Sequence, residues 1–420
     1  MRSKLVSAGL AVAASLCVAA PAGAATIILN NVGGVEVGTN AYQGFTTAAN
    51  FWASVISSPV TIHLDVGFDH LGANILGSTS SAGGYVATQN VELGLLNQAQ
   101  TALDVSAVTH MPTMTVGQDG LGAITMVTPG YNATAPNINN PAAPAGDGLG
   151  VNTNSLVRDA NGTFNNEALF VNTANLRALG FNVDPNASDG SITFSSDFNF
   201  DFNPRDGIHA GAIDFVGVAV HEIGHALGFT SGVDIYDILG NNGPLNSGNT
   251  AVCGVDCHYY DSEQDAFGTT LDLFRYANNP LGAGPELTWA PGVGSYLSVD
   301  GGLTSLGGFS TGSFNGDGWQ ASHWQAPQDP LHPCQNFIGV MNPYTCFGLG
   351  DAVTPADFEA LDAIGWNFNF GDNRPTFTTA EISREFAIAN VPEPAVWTTM
   401  LLGLGLAGAG LRRRRALVAA

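Results

Sequence analysis

The chain has 420 residues, 45% of them hydrophobic and only 11% charged, which excludes a disordered chain and gives enough length for a buried core in one or two domains. The formal net charge is −23, and six Arg and no Lys lie between Thr26 and Val391. So acidic a body repels polyanions, which excludes nucleic acid and anionic membranes as partners. The acidity reads as the solubility of an exported protein, with a calcium-binding surface as the sharper alternative.

Residues 1–25 read as a signal peptide. Arg2 and Lys4 form its charged start, Leu5 to Ala20 its apolar run, and Ala22-Gly23-Ala24-Ala25 its small-residue cleavage site. Cleavage removes Cys17 and leaves Cys253, Cys257, Cys334 and Cys346. An even count in an oxidising compartment points to two disulfides. Three pairings are open, and closeness in sequence favours Cys253–Cys257 and Cys334–Cys346.

Ala41 to Ile56 is expected as an amphipathic helix with Phe45, Ala48, Ala49, Trp52 and Ile56 near one face, stopped by Pro59. Val60 to Phe68 alternates as a strand, with His63 opposite its apolar side. Val91 to Leu103 looks helical. Residues 128–152, rich in Pro, Asn, Ala and Gly, read as a loop. Asp159-x-Asn161-x-Thr163 with Glu167 has a faint likeness to a calcium loop but lacks the glycine at the sharp turn, so it reads as a surface loop. Calcium stays a weakly supported cation expectation. Glu167 to Leu179 is expected as a helix, and Gly190 to Phe202 as a strand with its Phe residues on one face. Asp214 to Leu227 is the key helix. Residues 230–320 are Gly- and Asn-rich. Thr354 to Gly365 is the final helix, begun by a Thr354 cap and Pro355 at its first position. Residues 371–391 read as a polar linker.

The key helix carries His221-Glu222-Ile-Gly-His225. A four-residue spacing puts both imidazoles on one helix face, one turn apart, so both reach one metal. Glu222 projects roughly 100° around the helix from His221, where it can touch a metal-bound water without being a ligand. Zinc held by neutral imidazoles keeps an open position for that water and lowers its pKa. Glu222 can then take the proton and return it to the leaving amine. Gly228 suits the helix end.

A third ligand is needed. His221-Glu222-x-x-His225-x-x-Gly228 resembles the metzincin start, but the position of that family's third His holds Ser231. A gluzincin arrangement would use a Glu on a later helix, for which Glu263 is the candidate. The segment through Phe229 is more similar to leishmanolysin-type metallopeptidases, where a long insertion precedes a third His in a Ser-His-Trp context and then a Met in a tight turn. This chain has Ser322-His323-Trp324 and Val340-Met341-Asn342-Pro343. The resemblance, strongest over 190–366, implies His323 as third zinc ligand, Met341 as the Met-turn beneath the metal, and the final helix packed behind the site. His332 is the rival ligand. Tyr344 is a candidate oxyanion donor. No Cys lies between Ala25 and Val252, so the family's cysteine latency has no counterpart.

Val391-Pro392-Glu393-Pro394, an apolar stretch to Leu411 and Arg412 to Arg415 together resemble the PEP-CTERM sorting signal of Gram-negative bacteria. That implies processing by an exosortase-type enzyme, only transient membrane contact through the C-terminal helix, and release to the cell surface or extracellular matrix. The expectation is an α+β chain with a zincin (metzincin-like) catalytic domain. Its parts are an N-terminal subdomain over 26–229 with a twisted sheet and the active helix, a smaller C-terminal subdomain over 230–370, the linker, and the sorting signal over 392–415. The expected activity is a zinc metalloendopeptidase acting on protein or peptide substrates. The alternative is an inactive zincin-fold protein that binds at the surface or in the matrix.

Overall fold

The computed structural model describes residues 24–71, 76–131, 151–245 and 262–387. They build mixed α and β structure with several small sheets. The main sheet contains β1 (Thr26–Gly33), β2 (Thr61–Asp69), β3 (Gly77–Ser81) and β4 (Gly190–Ser195), in the order β1-β2-β4-β3. β1 and β4 run parallel to β2, and β3 is antiparallel to β4. The alternation in β2 works as expected, with Ile62, Leu64 and Val66 buried.

Helix α1 (Asn40–Val55) starts where the Thr39 hydroxyl accepts the Tyr42 N–H. Its buried face, including Phe45, Ala48, Ala49 and Trp52, packs on β1 and on α2 (Phe215–Leu227). Trp52 donates its indole N–H to the Val220 carbonyl at 3.0 Å. An aromatic cluster fixes the start of α2 against the sheet: Phe215 lies 4.9 Å from Phe194, 5.2 Å from Phe45 and 4.6 Å from Phe202, between ring centroids. Such pairs contribute about 0.5–1.5 kcal/mol each beyond their buried area.

After α2 the chain forms α3 (Val233–Leu239) and a four-stranded antiparallel sheet, ordered Pro285–Leu287, Arg275–Asn278, Ser295–Leu297, Gly307–Phe309. Helix α4 (Pro355–Ala363) follows. The apolar core runs unbroken between the two halves. The Phe229 and Trp324 rings lie 5.0 Å apart, and Trp366 donates to the Leu227 carbonyl at 2.8 Å.

Several segments differ from expectation. Within 167–179, Ala168–Asn172 is a strand paired antiparallel with Gly83–Ala87 and only Thr173–Ala178 is helical. Ala168, Leu169 and Val171 are buried along with Asn172, so the run lacks the alternation that marks a half-buried strand. The helix expected over Val91–Leu103 divides into Thr88–Gln98 and Ala102–Thr109. The break is the capping box in which the Thr101 hydroxyl accepts from Asp104 N and the Asp104 carboxylate from Thr101 N, both at 3.0 Å. The strand expected to reach Phe202 stops at Ser195, and Phe200–Asp201 pairs separately with Ile213–Asp214. Met126–Tyr131 and Val151–Asp159 pair at the ends of the expected 128–152 loop, while 132–150 lie outside the described residues. In the expected linker, Phe377–Thr378 pairs with Ala352–Val353 and α5 (Thr379–Phe386) packs on α1 with Ile382 buried.

Candidate functional site

Asp214 caps α2, its carboxylate accepting the Gly217 N–H at 3.0 Å. Gly228 closes it in the left-handed region at φ +117°. Two interior glycines would ordinarily weaken such a helix by about 1 kcal/mol each relative to Ala, and both make room for a neighbour. A Cβ at Gly224 would lie 2.5 Å from Met341 Sδ, and one at Gly217 would lie 2.5 Å from Asp351 Oδ2.

The helix brings His221 and His225 together as the spacing predicts, and His323 joins them across 98 positions. His225 Nε2 lies 3.0 Å from His221 Nε2 and 3.2 Å from His323 Nε2. Each Nδ1 faces a backbone carbonyl: Val340 for His221 and Phe229 for His225, both at 2.7 Å, and Gln320 for His323 at 3.2 Å. A carbonyl only accepts, so each Nδ1 carries the proton and each Nε2 presents a lone pair. Burial and the neighbouring imidazoles hold His225 well below the ordinary histidine range and bring His323 down to about 3. Three converging acceptors with no proton among them repel one another and suit a cation. The two separations from His225 approach the ~3.3 Å at which nitrogens ~2.05 Å from one tetrahedral centre sit, as in zinc–imidazole sites. Among the described residues these three form the group of His, Cys, Asp or Glu close enough to hold a metal, their donor atoms within 4.8 Å of one another.

A buried polar network positions His323. Asp234, in the first turn of α3, accepts the Ala321 N–H at 2.6 Å, the Ser322 N–H at 3.1 Å and the Ser322 hydroxyl at 2.5 Å. Buried Arg275 donates to the Ala321 carbonyl at 2.5 Å and to Asp272 at 3.1 Å. Asp272 also accepts the Ser231 hydroxyl at 2.6 Å and the Gly232 N–H at 2.7 Å. Ser231 itself donates its N–H to the Ser322 hydroxyl at 2.9 Å. The residue standing where the short motif would place a histidine therefore docks the loop that brings one from afar.

Met341 packs under α2 against Gly224 and is 1% exposed. Gly224→Ala is expected to displace it and cost about 1–3 kcal/mol by overpacking. An unchanged urea midpoint would contradict that packing. The Cys334–Cys346 disulfide closes the loop containing Met341, with its Cα atoms 6.1 Å apart. Asp357 of α4 accepts the Trp324 indole N–H at 2.8 Å and the Val340 N–H at 2.9 Å, so one carboxylate holds both the neighbour of His323 and the neighbour of Met341.

Glu222 accepts the Thr79 hydroxyl at 2.5 Å. Thr79 belongs to β3, so the sheet edge beside the site is Gly77–Ser81, while Phe194 lies inside the sheet on β4. A cleft of about 710 Å³ is lined by β3, His221, Glu222, His225, His323 and the 340–345 segment. Tyr344 lines it too, but its hydroxyl donates to the Pro333 carbonyl at 2.6 Å, a bond it would have to give up to serve an oxyanion.

The other candidates lie elsewhere. His332 is exposed and bonded to Asp329 at 2.8 Å. Glu263 bonds Asn161 and Thr163 of the 159–167 loop, while the Glu167 carboxylate turns to the Asp119 N–H at 3.0 Å. Cys253, Cys257 and His258 lie outside the described residues. Sequence reading passed over Asp234, Asp272 and Arg275, which carry no motif. It saw Thr354 and Pro355 begin α4 but not the second duty of Asp357.

Residues 390–415 match the PEP-CTERM protein-sorting motif. The chain thus carries a signal for export and surface sorting in Gram-negative bacteria, of the kind recognised by exosortase-type processing enzymes. No curated protein and no solved structure matches the chain. No helix among the described residues is long and apolar enough to cross a membrane, and the apolar segment of the sorting motif lies outside them.

Proposed function

We propose that the chain is an exported zinc metalloendopeptidase with a zincin-type catalytic domain. One observation carries the reading: three imidazole lone pairs converge at 3.0 and 3.2 Å, each ring fixed by a carbonyl on its far nitrogen, beside a carboxylate that is not one of the three. His221, His225 and His323 would hold the ion, each through its Nε2. When bound, zinc supplies a Lewis acid that polarises a carbonyl and acidifies water. Glu222 takes the proton of the attacking water and passes it to the leaving amine. Thr79 holds the Glu222 carboxylate in place for both transfers. Met341 supports the helix turn between the two helical histidines by packing alone.

The cleft supports attack within a chain more than at its end. Among the described residues β3 is paired on one side only, so its other backbone edge can receive an extended peptide by strand addition. Dialysis of the mature protein against a chelator is expected to abolish hydrolysis of an unfolded protein substrate, and one equivalent of zinc to restore it. Full activity in protein shown by elemental analysis to be metal-free would sink the reading.

A further inference from the structure

The cleft wall carries a carboxylate that the proposed reaction does not use. Asp351 lies between the 340–345 segment and the start of α2. Its Oδ2 occupies the space where a Gly217 side chain would project. Gly217 precedes His221 by four residues, so this carboxylate stands on the helix face that bears the histidines, one turn or ~6 Å along the axis from His221. The backbone of Asp351 is pinned, its N–H donating to Asp214 at 3.3 Å and its carbonyl accepting from Thr379 at 3.0 Å.

Helix capping does not explain the charge, because Asp214 already accepts the Gly217 N–H. The Asp351 side chain accepts the Thr345 hydroxyl at 3.0 Å. Among the described residues no Lys or Arg lines the cleft, and its other ionisable groups are Glu222, the three histidines and Tyr344. Burial and the nearby Asp214 carboxylate push the Asp351 carboxyl up to about 7. Folding alone would be better served there by Asn, since a partly buried anion beside another anion opposes folding. Val218, Val340 and Pro343 supply apolar wall in the same cleft, and such surface suits the methylene stem of a long cationic side chain whose head reaches a carboxylate.

We infer that Asp351 makes the cleft select a lysine or arginine side chain on the substrate residue next to the scissile bond. This rests on the peptidase reading above. The test is digestion of a randomised peptide library by the zinc-loaded mature protein, with cleavage sites identified by mass spectrometry. Lys and Arg are expected to be enriched at one position adjacent to the cut. In Asp351→Asn the ratio of kcat/KM for an Arg peptide over its Leu counterpart is expected to fall about tenfold or more, as loss of a desolvated charge pair predicts. Asp351→Glu is expected to keep most of the preference. Cleavage without basic enrichment in the wild type overturns the inference even if the Asn variant does not fold, and so does a preference that persists in Asp351→Asn. Absence of any cleavage by zinc-loaded wild type overturns the peptidase reading instead, and the inference with it.

Discussion

Replacing His323 with alanine is expected to remove stoichiometric zinc from the protein. His221 and His225 would remain on one helix turn, but two imidazoles with a 3.0 Å separation leave half of a tetrahedral shell to solvent. Even partners one step removed from a metal cost about 10–100-fold in affinity when lost, so loss of a ligand is expected to cost more than about 100-fold. Competition against a chromophoric chelator measures this directly. His332→Ala is the control, since that imidazole is exposed and engaged with Asp329. Normal zinc binding in His323→Ala together with loss in His332→Ala would show that the ligand is misassigned.

Asp357→Ala is expected to be the most damaging change away from the site. The carboxylate is fully buried and accepts from Trp324 Nε1, Val340 N, Met341 N and Thr354 N at 2.8, 2.9, 3.3 and 2.8 Å. Alanine leaves four donors without their acceptor. At about 1–3 kcal/mol for each unsatisfied group the loss is roughly 4 kcal/mol or more. The damage is also expected to reach the proposed metal site, because Trp324 follows His323 and the Val340 carbonyl receives Nδ1 of His221. Urea unfolding and zinc affinity are both expected to fall, with Asp357→Asn intermediate. Wild-type values in both measurements would contradict the anchoring role.

These two residues differ in how visible they are in the sequence. His323 stands out because Ser-His-Trp followed by a Met turn is a local string with a chemical meaning. Asp357 is visible only as the fourth residue of a helix cap, and its contacts with Trp324 and Val340 are long-range. The same contrast runs through the fold. Helix α2 is legible because its histidine spacing, cap and terminal glycine all lie within fifteen residues of chain. Strand β3 reads Gly-Ser-Thr-Ser-Ser and has no apolar pattern, because an edge strand lining a cleft buries neither face fully. Phe194 to Phe202 has the conspicuous pattern because its rings turn inward, Phe194 and Phe200 packing on Phe215. The stretch after residue 370 looked like a linker since α5 buries few apolar side chains, with Ile382 the deepest.

Peptide-bond hydrolysis, as proposed, needs the zinc site and Glu222 together. The most direct measurement compares zinc content and hydrolysis of an unfolded protein by the mature wild type and by Glu222→Ala. Both are expected to hold one zinc, because Glu222 is not among the three converging donors. The variant is expected to lose activity by roughly 10²–10⁴-fold or more, the usual contribution of a general base. Equal hydrolysis by the two proteins would show that Glu222 is not the base of a zinc-dependent hydrolysis, and zinc-loaded wild type without any hydrolysis would favour a binding protein built on the same site.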